Sequence, residues 1–175
     1  MEAAMVCVDR NEGQLTLSVV ADELGVIRQT VYRYFRNTED LYAAVGRYAV
    51  ASFLDELGQR LSKFTDPAQW VVEALATTID TLPTRPYLTL LLTTGNVDPF
   101  AKAVNSPTSV AFGREIFSRA PFDWSTHGLD KKEIDELIEL MLRILQSMVL
   151  NPPDPPRSPK ALRRYLDRWL APALR

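Results

Sequence analysis

Histidine and cysteine are almost missing from this chain: His127 and Cys7 are the only examples of each among 175 residues. One thiol excludes an internal disulfide framework, and one imidazole excludes a histidine-based triad or a multi-histidine metal centre built within a single chain. Glycine is scarce too, at seven residues, and none of them belongs to a phosphate-cradling loop. Long apolar runs are lacking. The stretches 87–92 and 140–150, the second interrupted by Arg143 and Gln146, fall well short of a membrane span. No secretory leader is visible, so the expectation is a soluble, cytoplasmic protein that is not an enzyme and carries no metal and no cofactor.

A strong excess of either charge is absent as well. Lysine and arginine total 20 against 22 aspartates and glutamates, a net charge of −2. That balance argues against general affinity for nucleic acid over the whole surface, so the distribution of charge is what informs. Residues 1–47 hold Arg10, Arg28, Arg33, Arg36 and Arg47 against Glu2, Asp9, Glu12, Asp22, Glu23, Glu39 and Asp40. Within residues 26–37, however, there are three arginines and no acid.

That cationic run lies in a stretch, 16–35, patterned as two short helices hinged at Gly25. Thr16 is suited to cap the first helix, with Val20, Ala21 and Leu24 as its buried stripe, and Gly25 permits the positive φ of a tight turn. Val26 is expected to plug the joint. The second helix, taken from Ile27 to Phe35, anchors through Val31 and Phe35. Arg28, Gln29, Thr30, Tyr32, Arg33 and Tyr34 remain on its other faces, and these residue types read grooves and phosphates. The same spacing also suits an ordinary helical hairpin with a solvated polar face.

Ala21, then Gly25-Val26, then Thr30-Val31-Tyr32-Arg33-Tyr34-Phe35 and Thr38-Glu39-Asp40-Leu41 together resemble the DNA-binding signature of the TetR family of one-component transcriptional repressors, over residues 16–45. The resemblance implies an all-α homodimer, with a helix-turn-helix domain at 1–45 and a helical ligand-binding and dimerisation domain at 46–175. Three features depart from the family pattern. Ile27 stands where a small polar residue usually opens the recognition helix, and it has no side-chain oxygen for a cap. Thr38 stands where a lysine usually meets a phosphate; it brings no charge but can cap the next helix and donate a hydroxyl. Only residues 1–8 remain for the first helix.

In the rest of the chain, no repeat and no strand-like alternation competes with helical periodicity, so the fold class is all-α. A helix is expected over 38–63 through Leu41, Val45, Ala49, Phe53, Leu57 and Leu61. Asp66-Pro67 opens another, with Val71, Val72, Leu75, Ile79 and Leu82 as its apolar face. Tyr87–Thr94 is expected to be a short helix, Asp98-Pro99 a turn, Ser106-Pro107 the start of a helix to about Arg119, and 122–128 a loop.

The last third has the pattern of an association surface. Over 130–150 the residues Ile134, Leu137, Ile138, Met141, Leu145, Met148 and Val149 make one stripe, widened by Leu140, Leu142 and Ile144. Glu133, Asp135, Glu136 and Glu139 sit on its surface. After a proline-rich break, Leu162, Tyr165, Leu166, Trp169 and Ala173 recur at helical spacing, with Arg163, Arg164 and Arg168 expected outside. In the family the last two helices pair with their symmetry mates, which makes Leu137, Leu140, Met141, Ile144, Met148, Leu162, Tyr165, Leu166 and Trp169 the expected dimer interface. A monomeric bundle whose last helix packs down is the alternative.

The expected partner is therefore a double-stranded DNA operator. Gln29, Thr30, Tyr32 and Arg33 are assigned to base edges and Thr16, Arg28, Tyr34, Arg36 and Thr38 to phosphates. A small, mostly hydrophobic effector is expected among Trp70, Tyr87, Leu91, Phe100, Phe112, Phe117, His127 and Met141, bulky residues on helices that surround a cavity in the family, with Thr93, Thr94 and Asn96 available for orientation. Aromatics at helical spacing are more often plain core than a binding box. The competing function is a helical dimeric interaction protein that has lost specific DNA binding.

Overall fold

The computed structural model describes residue 4 and residues 16–85 and 106–174, and every regular element among them is helical. Contacts divide the chain into two units, one within Met1–Phe53 and Leu82–Pro99 and the other within Leu54–Thr81 and Phe100–Arg175. The expected segments at 1–8, Tyr87–Thr94 and Asp98-Pro99 lie outside the described residues.

The first unit contains α1 (Leu17–Leu24), α2 (Arg28–Tyr32) and the beginning of α3 (Thr38–Leu61). Its core is Ala4, Leu17, Val20, Ala21, Val31, Leu41 and Val45, flanked by half-buried Val19 and Phe35. Thr16 caps α1 as expected, its Oγ1 accepting from the Val19 amide at 3.2 Å. The stripe on α1 differs by one turn from expectation. Leu17 is buried and Leu24 is exposed, because α1 turns its N-terminal half to the head core and ends in the open turn.

α3 is a 24-residue helix ending at Leu61, two residues short of the expected end. Leu41, Val45, Ala49, Phe53, Leu57 and Leu61 are all buried along it. Steps of four residues overshoot a turn by about 40°, so this stripe winds slowly around the helix. Its cap is Asn37 and not Thr38: Asn37 Oδ1 accepts from the Asp40 amide at 2.7 Å. Thr38 already lies in the first turn, where its hydroxyl is past the position that reaches the free amides.

The second unit holds α4 (Pro67–Thr81), α5 (Pro107–Phe117), α6 (Lys131–Leu150) and α7 (Pro159–Trp169). Each start repeats one device, a side-chain oxygen accepting from the amide three residues on: Asp66 to Gln69, Ser106 to Ser109, Asp130 to Glu133 and Ser158 to Ala161. Asp130 and Glu133 complete a reciprocal capping box, since Glu133 Oε2 accepts from the Asp130 amide. α4 is the central helix, with Trp70, Val71, Ala74, Leu75 and Ala76 buried and both α6 and α7 packed on it.

α5 approaches α6 closely at Gly113. A Cβ there would come within 2.5 Å of Ile138 Cγ2, so glycine is required by the packing. The Arg114 guanidinium spans the same pair of helices, donating to both oxygens of Asp135 at 2.7 and 2.9 Å. That double hydrogen bond holds the Asp135 carboxyl below the usual carboxylate range. The 122–128 segment is more ordered than a loop: Trp124–His127 form a 3₁₀ turn that buries Trp124.

Candidate nucleic-acid interface and effector site

The turn between α1 and α2 is built by backbone geometry. Gly25 adopts φ 63° and ψ 28°, its amide donates to Asp22 O at 3.2 Å, and the Val26 amide donates to Ala21 O at 3.0 Å. This pair of bonds is a Schellman motif, which satisfies the last carbonyls of α1 and turns the chain sharply into α2. Val26 does not plug the joint with its side chain, which is exposed. Its N–H makes the connection instead.

α2 is shorter than the expected 27–35. Regular helix runs from Arg28 to Tyr32, and Tyr34 and Phe35 follow through amide bonds to Val31 O at 3.0 and 3.1 Å. One anchor, Val31, is buried, while Arg28, Gln29, Tyr32, Arg33, Tyr34 and Arg36 are exposed and Thr30 is half-buried. The structure therefore presents these six side chains from one short segment. Thr16 is exposed but its oxygen is engaged in the α1 cap, and Thr38 is half-buried in the first turn of α3.

Arg33 is held by its neighbour. Its Nη2 donates to Tyr34 Oη at 3.3 Å, and its guanidinium carbon lies 5.3 Å from the Tyr34 ring centroid. A stacked arginine loses less rotamer freedom when it meets a base or phosphate. Ile27 precedes α2 without any side-chain cap bond and is 71% exposed. Sequence reasoning registered Ile27 as a missing cap and did not assign it a contact. Asn37 was missed as the α3 cap, although an asparagine three residues before an acid is a readable start signal.

In the second unit, the structure brings Trp70 and Phe117 together, with ring centroids 5.1 Å apart and planes at 73°. Trp124 and Phe122 complete an aromatic cluster, and His127 reaches it through an edge contact on Phe122. Trp124 Nε1 donates to Phe117 O at 3.1 Å, whereas Trp70 Nε1 is buried without a hydrogen-bond partner. Trp70 is fully enclosed and belongs to the core in this state. Phe112 and Met141 are half-buried and His127 is exposed. Tyr87, Leu91, Phe100, Thr93, Thr94 and Asn96 lie outside the described residues.

Of the residues assigned to association, Leu137, Leu162 and Leu166 are buried within the chain's own core. Leu140, Ile144, Met148, Tyr165 and Trp169 instead line an open groove of about 310 Å³ between α6 and α7. Trp169 is 68% exposed there, and Arg168 lies over its ring at 5.3 Å. Arg163 is the exception among the α7 arginines expected outside, because it turns inward to carboxylates on α4. Among the described residues no three His, Cys, Asp or Glu side chains gather as a metal ion would require, and no helix is long and apolar enough to cross a membrane.

A capped helix, a glycine turn, and a second short helix carrying exposed arginines, glutamine and tyrosines define a helix-turn-helix DNA-binding protein. Residues 2–45 match the family described as "Bacterial regulatory proteins, tetR family". That match covers the head alone and supports a DNA-binding transcriptional regulator with a TetR-type reading domain.

Solved structures share its fold along nearly the whole chain. The TetR family repressor AlkX from Dietzia sp., implicated in biodegradation of n-alkanes, superposes with a TM-score of 0.64 at 18% identity, over 98% of this chain and 93% of that one. The fatty acid degradation regulator FadR from Bacillus halodurans gives 0.58 at 18% identity, over 99% and 97%. AibR, solved in complex with isovaleryl coenzyme A and operator DNA, gives 0.56 at 17% identity, over 98% and 94%. No curated protein matches this chain by sequence.

Proposed function

We propose that this regulator is a cytoplasmic homodimeric repressor that releases its operator when a small, mostly hydrophobic effector enters the body of each protomer. Residues 1–45 form the reading domain and 46–175 the effector and dimerisation domain. α2 enters the major groove, where Gln29, Thr30, Tyr32 and Arg33 meet base edges. Thr16, Arg28, Tyr34, Arg36 and Thr38 position the phosphate backbone. The observation that carries the reading is the exposure of Arg28, Gln29, Arg33 and Arg36 together on a segment with no acid between residues 26 and 37.

The groove between α6 and α7 supports the homodimer, since Leu140, Ile144, Met148, Tyr165 and Trp169 line it and leave apolar surface open for a second copy to cover. Two heads joined by such a seam read two half-sites at fixed spacing. A hydrophobic effector is supported by the aromatic content of the body, and by the alkane, fatty acid and acyl coenzyme A connections of proteins with the same fold. Because α3 runs unbroken from Thr38 to Leu61, a shift at its far end is carried to its start.

The uncapped Ile27 and the uncharged Thr38 favour a second reading, a helical dimer that no longer binds a specific sequence. Titration of fluorescent duplexes spanning the DNA beside its own gene separates the two. Saturable binding at nanomolar protein, weakening steeply with added salt and lost with Arg33→Ala, is the expected result. Equal, weak affinity for those duplexes and unrelated ones would overturn the repressor reading.

A further inference from the structure

Ile27 is 71% exposed, more than any other large hydrophobic side chain among the described residues. It supplies no cap oxygen and joins no core cluster, yet its backbone is anchored: its carbonyl accepts from the Thr30 amide at 2.9 Å. A β-branched side chain has few χ1 choices, so a fixed backbone makes it a rigid apolar knob. Leu24 and Val26, just before it, are exposed apolar residues too, and the run that follows it is cationic. Arg28 and Gln29 follow it directly, both exposed, and Arg33 and Arg36 lie in the same acid-free run.

Charge therefore suits this face to a polyanion, while the knob asks for an apolar contact within that polyanion. Base edges in the major groove of DNA offer hydrogen-bonding atoms and one apolar group, the C5-methyl of thymine. We propose that Ile27 packs against a thymine methyl in the operator and so determines specificity at one base position. The proposal rests on the reading of α2 as the groove-entering element. It converts the missing cap at Ile27 into a reading contact made by this chain's own substitution.

The test uses the full-length protein and duplexes selected from randomised sequence. Each thymine of the selected site is then replaced, one at a time, by deoxyuridine, which lacks only the methyl. At one position the wild-type protein should lose about fourfold in affinity, the worth of one methyl removed from a close apolar contact. Ile27→Ala should bind the thymine and uracil versions equally, and Ile27→Val should keep part of the discrimination.

Equal affinity of the wild-type protein for both versions at every position, or an undiminished thymine preference in Ile27→Ala, would overturn the proposal. So would a response to 5-methylcytosine over cytosine without any response to thymine. If no duplex is selected above unrelated DNA, the groove-entering reading itself fails, a loss already visible before any thymine is replaced.

Discussion

The Arg163 guanidinium reaches from α7 to Glu73 on α4, donating from Nε to Oε1 at 2.7 Å across 90 positions of sequence. Its Nη1 also donates to Asp80 Oδ2 at 2.8 Å. Glu73 and Asp80 lie two turns apart on one face of α4, so a single planar fork bridges both. Burial works against the charge of Arg163, but the two carboxylates more than offset it and hold its pKa above the usual value. All three side chains are largely shielded from water.

Removing the fork would leave Asp80 without this partner and Glu73 with only the longer contact to Arg60 at 3.9 Å. Arg163→Ala should therefore destabilise the protein by about 2–3 kcal/mol in urea denaturation. Arg163→Lys should recover less than half of that, because an ammonium cannot span both partners in the same geometry. A denaturation midpoint unchanged by Arg163→Ala would show that the pair contributes nothing net.

Arg33 lies over the Tyr34 ring and donates to its hydroxyl, so the two side chains can be tested as a pair. Arg33→Ala should weaken binding to a confirmed operator by about 1–3 kcal/mol and relax preference at one guanine if the guanidinium reads a base edge. Tyr34→Phe keeps the ring and removes only the hydroxyl acceptor, so it should cost less than the arginine. Competition binding against single-base operator variants measures both. A uniform loss across all variants would move Arg33 to the phosphate group.

Gly25 has open space where a Cβ would stand, so the penalty for a side chain there is purely conformational. Gly25→Ala forces a left-handed backbone on a residue that disfavours it, at about 1 kcal/mol. Hydrogen exchange at the Val26 amide, which closes the turn on Ala21 O, should accelerate by roughly fivefold, the local equivalent of that cost. Exchange that matches the wild type would mean the turn opens by a route that leaves Gly25 in place.

Ile144→Asp places a charge on the groove between α6 and α7, where Ile144 is half-buried within one protomer. In a dimer the carboxylate would be enclosed without a partner, which costs several kcal/mol. Sedimentation should show the variant as a folded monomer and the parent as a dimer at micromolar concentration. A monomeric parent would remove the seam.

For the proposed hydrophobic effector, thermal melting in the presence of candidate apolar compounds is the readout. A ligand at 100 times its Kd should stabilise the protein by about 2.7 kcal/mol and release labelled operator in the same concentration range. Trp70→Ala is a poor probe of the proposed effector, because Trp70 packs on Phe117 and Trp124 and its loss should cost about 3–5 kcal/mol on its own. Phe112→Ala, at a half-buried position, is the cleaner variant. Stabilisation without operator release would separate binding from regulation.

Much of this molecule was legible because its signals act over three or four residues. Thr16, Asp66 and Ser106 each cap the helix that follows, and Gly25 turns the chain between α1 and α2, since a cap or a positive φ depends only on immediate neighbours. The TetR-type signature is equally local, which is why the head could be read from residue order.

Which side of an amphipathic helix is covered, and by what, depends on partners far along the chain. Periodicity placed Leu24 inside and Arg163 outside; packing exposes Leu24, buries Leu17 and turns Arg163 to Glu73 and Asp80. The cluster of Trp70, Phe117 and Trp124 is likewise a meeting of α4, α5 and a 3₁₀ turn. By itself the sequence determined the helical class, most helix starts and the recognition signature, all of them products of short-range sterics and hydrogen bonding. Only the tertiary structure decided which apolar and charged groups face one another, because that choice is made by long-range burial, where each side chain competes for the contacts that exclude water best.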